Sequence, residues 1–212
     1  MNRTRIVLLV SAAVIAAIVL TGFGVGLMVR GGPGSMMGGD SGTVMGSRLR
    51  DAPGPRVDDA DAMALGAQIP AGGTVDQGRH ALTFTGRDVR LAVLASPSMP
   101  AENFRIAGMD NPTVTVPFGA HVTMEVINAD GDMAHGLVVT TTRTSSPMPI
   151  MMVTPAFAGA ALSALGASRP AEMHAQTLTF TADTAGEYRY VCPVPGHIQK
   201  GMIGTFIVAP QT

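Results

Sequence analysis

The stretch "EYRYVCPVPGHIQKGMIGTFIVA", Glu187 to Ala209, decides the fold class. Its opening alternates: Tyr188, Tyr190 and Cys192 share one face of an extended chain, and Glu187 and Arg189 take the other. Cys192 is therefore expected to look inward from the end of a core strand. The closing "IGTFIVA" reads as a second strand. Between the two lie Pro193, Pro195, Gly196 and Gly201, the composition of a constrained loop that turns the chain back.

Cys192 is the only cysteine of the 212-residue chain, five residues before His197, which is itself five residues before Met202. A lone cysteine cannot close an intramolecular disulfide, and its ordinary role is that of a small buried hydrophobe. Its neighbours argue for more. One loop of this length can gather a thiol, an imidazole and a thioether around a single point. With a second imidazole, those donors make the trigonal His₂Cys site with a weak axial Met that copper uses for electron transfer.

Four other histidines are available. His80 opens a strand beside Arg79 and reads as a surface residue. In "HVTMEVI", Val122, Met124 and Val126 share one face and His121, Thr123 and Glu125 the other, so His121 points outward. His174 shares the parity of Leu178 and Phe180 but stands at a strand entry. His135 follows the turn "NADGDMA" and begins "HGLVVTT", at the mouth of a strand where a loop-end ligand belongs. His135 is the choice. The acidic turn itself is not a calcium loop: Met133 stands where an EF-hand needs Gly, and no Glu closes the pattern at Val139.

Outward from this segment, the chain from about His80 is a series of short runs of period two: "ALTFTG", "VRLAVLA", "NFRIAG", "TVTVPFG", "HVTMEVINADGD", "HGLVVTTT" and "TLTFTADTAG". Short strands at this spacing, without a long amphipathic helix, predict an all-β antiparallel sandwich or barrel over residues 71–212. Residues 31–70, rich in Gly, Asp, Ala and Pro, read as a flexible linker in which "DADAMALGAQ" could form a helical turn or two. Met36, Met37 and Met45 there are taken as linker composition and left out of the site.

Residues 1–30 hold Arg3, Arg5 and then an uncharged, mostly apolar run from Ile6 to Val29. As a helix it would span roughly 36 Å, enough for a bilayer core. The reading adopted is an uncleaved anchor, with a cleaved signal segment as the alternative; both send the rest of the chain out of the cytoplasm. Arg3 and Arg5 outweigh Arg30 and keep the amino terminus inside, so the domain belongs on the periplasmic or extracellular side of the membrane. Net charge is −1 and charged residues make up 14% of the chain, a balance that gives nucleic acid no footing.

The stretch "GEYRYVCPVPGHIQKGMIGTFIV" resembles the carboxy-terminal ligand loop of the cupredoxins, and its Cys-x4-His-x4-Met spacing resembles the rusticyanin and sulfocyanin group. "SSPMPIMMVTPAFAGAALS" is similar to the long insertion of rusticyanin, and the likeness covers roughly residues 74–208. Gly136 follows the first His where those relatives tend to carry a polar residue. The resemblance implies a Greek-key sandwich holding one type 1 copper ion, with His135, Cys192 and His197 as equatorial ligands and Met202 as the axial one. It further implies an electron carrier rather than an enzyme. The partners it implies are redox proteins of the cytochrome or terminal-oxidase type, docking near His197, the expected edge for electron entry. Met148, Ile150, Met151 and Met152 would form an apolar collar there if the insertion folds over the ligand loop, or would fill the core beneath it. An oxidase or reductase would need a further His cluster such as H-x-H, and the sequence has none. Copper storage or delivery stays open because of the 15 methionines.

Overall fold

The computed structural model describes residues 54–97, 102–141, 153–169 and 171–211. Segment 1–30, most of the linker, and the collar residues Met148, Ile150, Met151 and Met152 lie outside the described residues. Among the described residues no helix is long and apolar enough to cross a membrane.

Two sheets face each other. The first has the order β1-β11-β8-β4-β5-β6, built from β1 (Arg56–Val57), β4 (Asp88–Ala95), β5 (Phe104–Ile106), β6 (Met109–Asp110), β8 (Ala120–Asn128) and β11 (Met173–Ala182). The second has the order β10-β9-β12-β13-β7-β3-β2. Its strands are β2 (Gly73–Asp76), β3 (Ala81–Phe84), β7 (Thr113–Pro117), β9 (His135–Thr141), β10 (Ala161–Leu165), β12 (Gly186–Val191) and β13 (Ile203–Ala209). The sandwich is mixed rather than purely antiparallel, which corrects the expectation: β4 runs parallel to β8, and β7 runs parallel to both β3 and β13. Parallel neighbours need a crossover connection. Between β4 and β8 the chain supplies one by passing through β7 in the opposite sheet.

The core forms where the period-two faces meet. Val89, Leu91 and Val93 of β4, Val122, Met124 and Val126 of β8, and Leu178 and Phe180 of β11 are buried against Val114, Val116, Leu137, Val139, Tyr188, Tyr190 and Phe206 of the second sheet. Each fully buried large apolar side chain contributes about 1.5–3 kcal/mol. His121 is exposed on the outer face, as the alternation of β8 requires.

A second, smaller apolar cluster explains why residues 54–70 are joined to the sandwich although their composition reads as linker. Helix α1 (Asp59–Ala67) starts at Asp58, whose side chain accepts the Ala60 N–H at 2.9 Å. Its buried Ala62 packs with Leu94, Ile127, Met173 and Ala175, the outward-facing apolar residues of β4, β8 and β11. Small residues let the helix lie close to the sheet. Ahead of it, β1 pairs antiparallel with the start of β11, Arg56 opposite His174 and Val57 opposite Met173.

Two tyrosines brace the strand that leads to the ligand loop. The Tyr190 hydroxyl donates to the Pro112 carbonyl at 2.6 Å, and its ring stands edge-on to Phe104 at 5.6 Å. The ring lies over Gly204 on β13, where a Cβ would come within 2.0 Å of it; only glycine fits there. The Tyr188 hydroxyl donates to the Thr184 carbonyl at 2.9 Å and closes the corner before β12.

Candidate metal centre

Cys192 follows the last residue of β12 and is fully buried, as the strand's alternation requires. The chain then coils through the loop 193–202. The His197 N–H donates to the Val194 carbonyl at 3.2 Å, and the Met202 N–H donates to the His197 carbonyl at 2.9 Å. The Cys192 N–H reaches the Met202 carbonyl at 3.2 Å, closing the loop at its base. Gly201, at φ 104°, holds a left-handed turn that a side chain would strain. Met202 is fully buried in the same core cluster as Cys192.

His135 enters from the other direction, at the first position of β9, where it pairs with Leu165 of β10. The rejected calcium turn before it is an orienting device. The Asn128 amide donates to the carbonyls of Met133 and Gly166, each at 2.8 Å, while its oxygen accepts the Asp130 N–H at 3.0 Å. One Asp130 carboxylate oxygen accepts the N–H groups of Asp132 and Met133 at 2.7 and 3.1 Å. The other lies 3.0 Å from His135 Nε2. Burial alone would raise the Asp130 carboxyl, but the His135 hydrogen bond and the backbone donors outweigh it and hold it below the usual carboxylate range. A carboxylate at Nε2 fixes that nitrogen as the protonated one, and the lone pair of Nδ1 is left facing the site.

The three donor atoms converge. His135 Nδ1 and His197 Nδ1 are 3.0 Å apart, and Cys192 Sγ lies 3.8 and 3.6 Å from them. Three donors around one first-row ion, at about 2.0–2.1 Å for nitrogen and about 2.3 Å for sulfur, stand roughly 3 to 4 Å apart. The residues therefore fit a metal ion. His135, Cys192 and His197 are also the one such group of three or more among the described residues. His80 and His121 are exposed. His174 is buried elsewhere, its Nδ1 accepting the Gly166 N–H at 3.0 Å; burial, helped by Arg56, lowers its pKa.

The electrostatics suit a bound cation. Burial pushes the Cys192 thiol up to about 11, against the N–H groups of Gly136 and Val194, which favour the thiolate. A metal ion binding at the sulfur would have to displace that proton. Gly136, which lacks a side-chain donor, thus still serves the sulfur through its backbone. His197 is lowered to about 4 by burial and by His135, so its ring is neutral and available well into acid.

His197 itself is 1% exposed, which corrects its expected role as an open edge. The coil of the loop turns the imidazole inward and leaves Pro195, Gly196, Gln199 and Lys200 at the surface. Sequence reasoning missed three supporting residues. Asn111, left-handed at φ 49°, accepts the Phe104 N–H at 2.9 Å and donates to the Gly201 carbonyl at 3.0 Å, tying the ligand loop to the open end of the β5–β6 hairpin. Asp130 belongs to the acidic turn whose pattern in the sequence suggests only a calcium loop. Glu102 is 8% exposed, with one carboxylate oxygen 2.5 Å from Lys200 Nζ and the other 3.3 Å from His197 Nδ1.

A two-sheet sandwich with Cys, His and Met on the loop between its last two strands, and a second His at the head of β9, defines a cupredoxin. The match to known proteins narrows this to one branch. The sulfocyanin (SoxE) domain model matches residues 81–212, and the chain belongs to that family. It is also similar to rusticyanin of Acidithiobacillus ferridurans, 32% identical over 130 residues, which cover 60% of this chain and 66% of that protein, just under two thirds of its length. The solved structure of rusticyanin from Thiobacillus ferrooxidans superposes with a TM-score of 0.62 at 28% identity, covering 74% of this chain and 98% of the other. Another structure of the copper protein rusticyanin gives a TM-score of 0.58 at 25% identity, covering 73% and 96%.

Proposed function

We propose that this chain is a mononuclear type 1 copper protein that carries single electrons between redox proteins, with His135, Cys192 and His197 as equatorial ligands and Met202 as the axial one. The convergence of two imidazole nitrogens and one thiol in a buried site carries the reading. Copper, when bound there, supplies a one-electron couple between Cu(I) and Cu(II). The chain's own part is to keep the donors still. Strand β9 and Asp130 hold one imidazole, the turns of the loop hold the other, and the sandwich fixes the sulfur between them, so neither oxidation state requires the site to rearrange. Storage or delivery of copper has weaker support, since exchange favours exposed ligands and these four are at most 1% exposed.

The decisive test is the visible and EPR spectrum of the copper-loaded chain. An intense band from thiolate-to-copper charge transfer is expected, and Cys192→Ser should abolish it while the protein stays folded. A variant that kept the band would remove Cys192 from the site.

The sequence further supports a tether: Ile6 to Val29 anchors the chain, and the domain works on the extracytoplasmic face, where cytochrome or terminal-oxidase partners approach the loop that carries His197. The full-length protein should then stay with membranes through an alkaline carbonate wash. Release by that wash would rule out the anchor.

A further inference from the structure

The buried carboxylate of Glu102 has no part in the sandwich and none in the four-ligand set. Its side chain is 92% buried, counting the 8% that is exposed. Oε1 is occupied by Lys200, whose own side chain is 55% exposed. Oε2 is the unexplained atom. It is buried, accepts no hydrogen bond, and stands 3.3 Å from His197 Nδ1, the nitrogen turned toward Cys192 and His135. A buried carboxylate oxygen without a donor is costly, and its natural partner is a cation. The position of Lys200 on the far oxygen orients the near one. Phe104, two residues along the chain from Glu102, is held by Asn111 and packs on Tyr190, so the backbone that carries the carboxylate is fixed to the strand entering the ligand loop.

We propose that Glu102 is a positioning residue for charge at the metal: its Oε2, beside the ligating nitrogen of His197, favours the more highly charged ion there, and is metered by Lys200. The inference rests on the copper reading above and concerns a residue outside that ligand set. A carboxylate this close in a water-poor site interacts with each added positive charge far more strongly than it would in water. It therefore stabilises Cu(II) over Cu(I), and a divalent ion over none. Lys200, by neutralising part of that charge from the solvent side, sets how much of it reaches the site.

Redox titration of the full chain loaded with copper, alongside Glu102→Gln and Lys200→Met, tests this. Glu102→Gln keeps the shape and removes the charge. It should shift the ratio of Cu(II) to Cu(I) affinities at least tenfold toward Cu(I), a rise in potential of about 59 mV for one electron. The same variant should bind Zn(II), which has no redox chemistry, several-fold more weakly in a competition assay. Lys200→Met, which leaves the carboxylate in place without its cation, should move the potential the other way. A Glu102→Gln protein with full copper content, an intact visible band and a potential shifted by less than a threefold change in that ratio would overturn the proposal. So would a Lys200→Met potential that does not fall, and this second variant decides the matter if Glu102→Gln does not fold. Absence of the visible band from the unaltered chain would overturn the copper reading and the inference with it, an outcome distinct from a normal band that Glu102→Gln leaves at an unchanged potential.

Discussion

His135 and His197 offer the same nitrogen to the same point by opposite means. His135 sits on a strand, paired with Leu165, and its far nitrogen is pinned by Asp130, which is itself held by Asn128 and two backbone donors. His197 sits in a coil held by its own turns, and its Nε2 is buried with no hydrogen-bond partner. The His135 ring is oriented by a side-chain partner on its far nitrogen; the His197 ring has none there and is set by the backbone turns that carry it. The difference teaches where substitutions should hurt.

The strand side should be the more sensitive to loss of a side chain. Asp130→Ala removes the group that fixes the tautomer and angle of His135, and losses of this kind cost 10- to 100-fold in metal affinity. We expect about that loss in a copper competition assay, with Asp130→Asn much milder because an amide oxygen can still accept from Nε2. Equal affinity for Asp130→Ala and the unaltered chain would show that the strand alone aims the ring. On the loop side, Asn111→Ala deletes the hydrogen bonds to Phe104 and Gly201. It should lower stability by about 1–3 kcal/mol, seen as a lower melting temperature, with a change in copper affinity smaller than that of Asp130→Ala. If Asn111→Ala lost copper as severely, the loop would be shown to depend on that bridge and the contrast between the two ligands would fail.

Much of this was legible in the sequence because it depended on short-range pattern. The alternation in "EYRYVC" and "HVTMEVI" put Cys192, Tyr190, Val122 and Met124 inside and His121 outside, and the structure has them there. The gathering of Cys192 and His197 followed from their spacing, and His135 from its place at a strand mouth. Elements without β-branched alternation were not legible: β10 is "ALSAL", and β1 and β6 are two residues each, defined only by their partners. Helix α1 reads as linker because its buried positions are Ala62 and Gly66, which carry little hydrophobic signal but allow close approach. Glu102 and Asn111 are further from legibility still. Their partners Lys200 and Gly201 lie 98 and 90 residues away, and no local pattern carries such a contact. Asp130 was within reach, since Asn128 and Asp130 just before a strand-opening His form a cage of side-chain acceptors as readily as a cation loop.

The bracing of β12 also gives the protein a built-in optical reporter. The chain has no tryptophan and two tyrosines, so emission excited in the tyrosine band, beyond the absorption of its seven phenylalanines, comes from Tyr188 and Tyr190 alone. Both are buried on the strand that runs into Cys192, and Tyr190 is two residues from the sulfur. A coloured, paramagnetic ion in the site would drain their excited states, whereas an ion without low-lying transitions would leave them bright. Occupancy and oxidation state can thus be followed on the unlabelled chain as a change in tyrosine fluorescence, with no competing signal from elsewhere in the molecule.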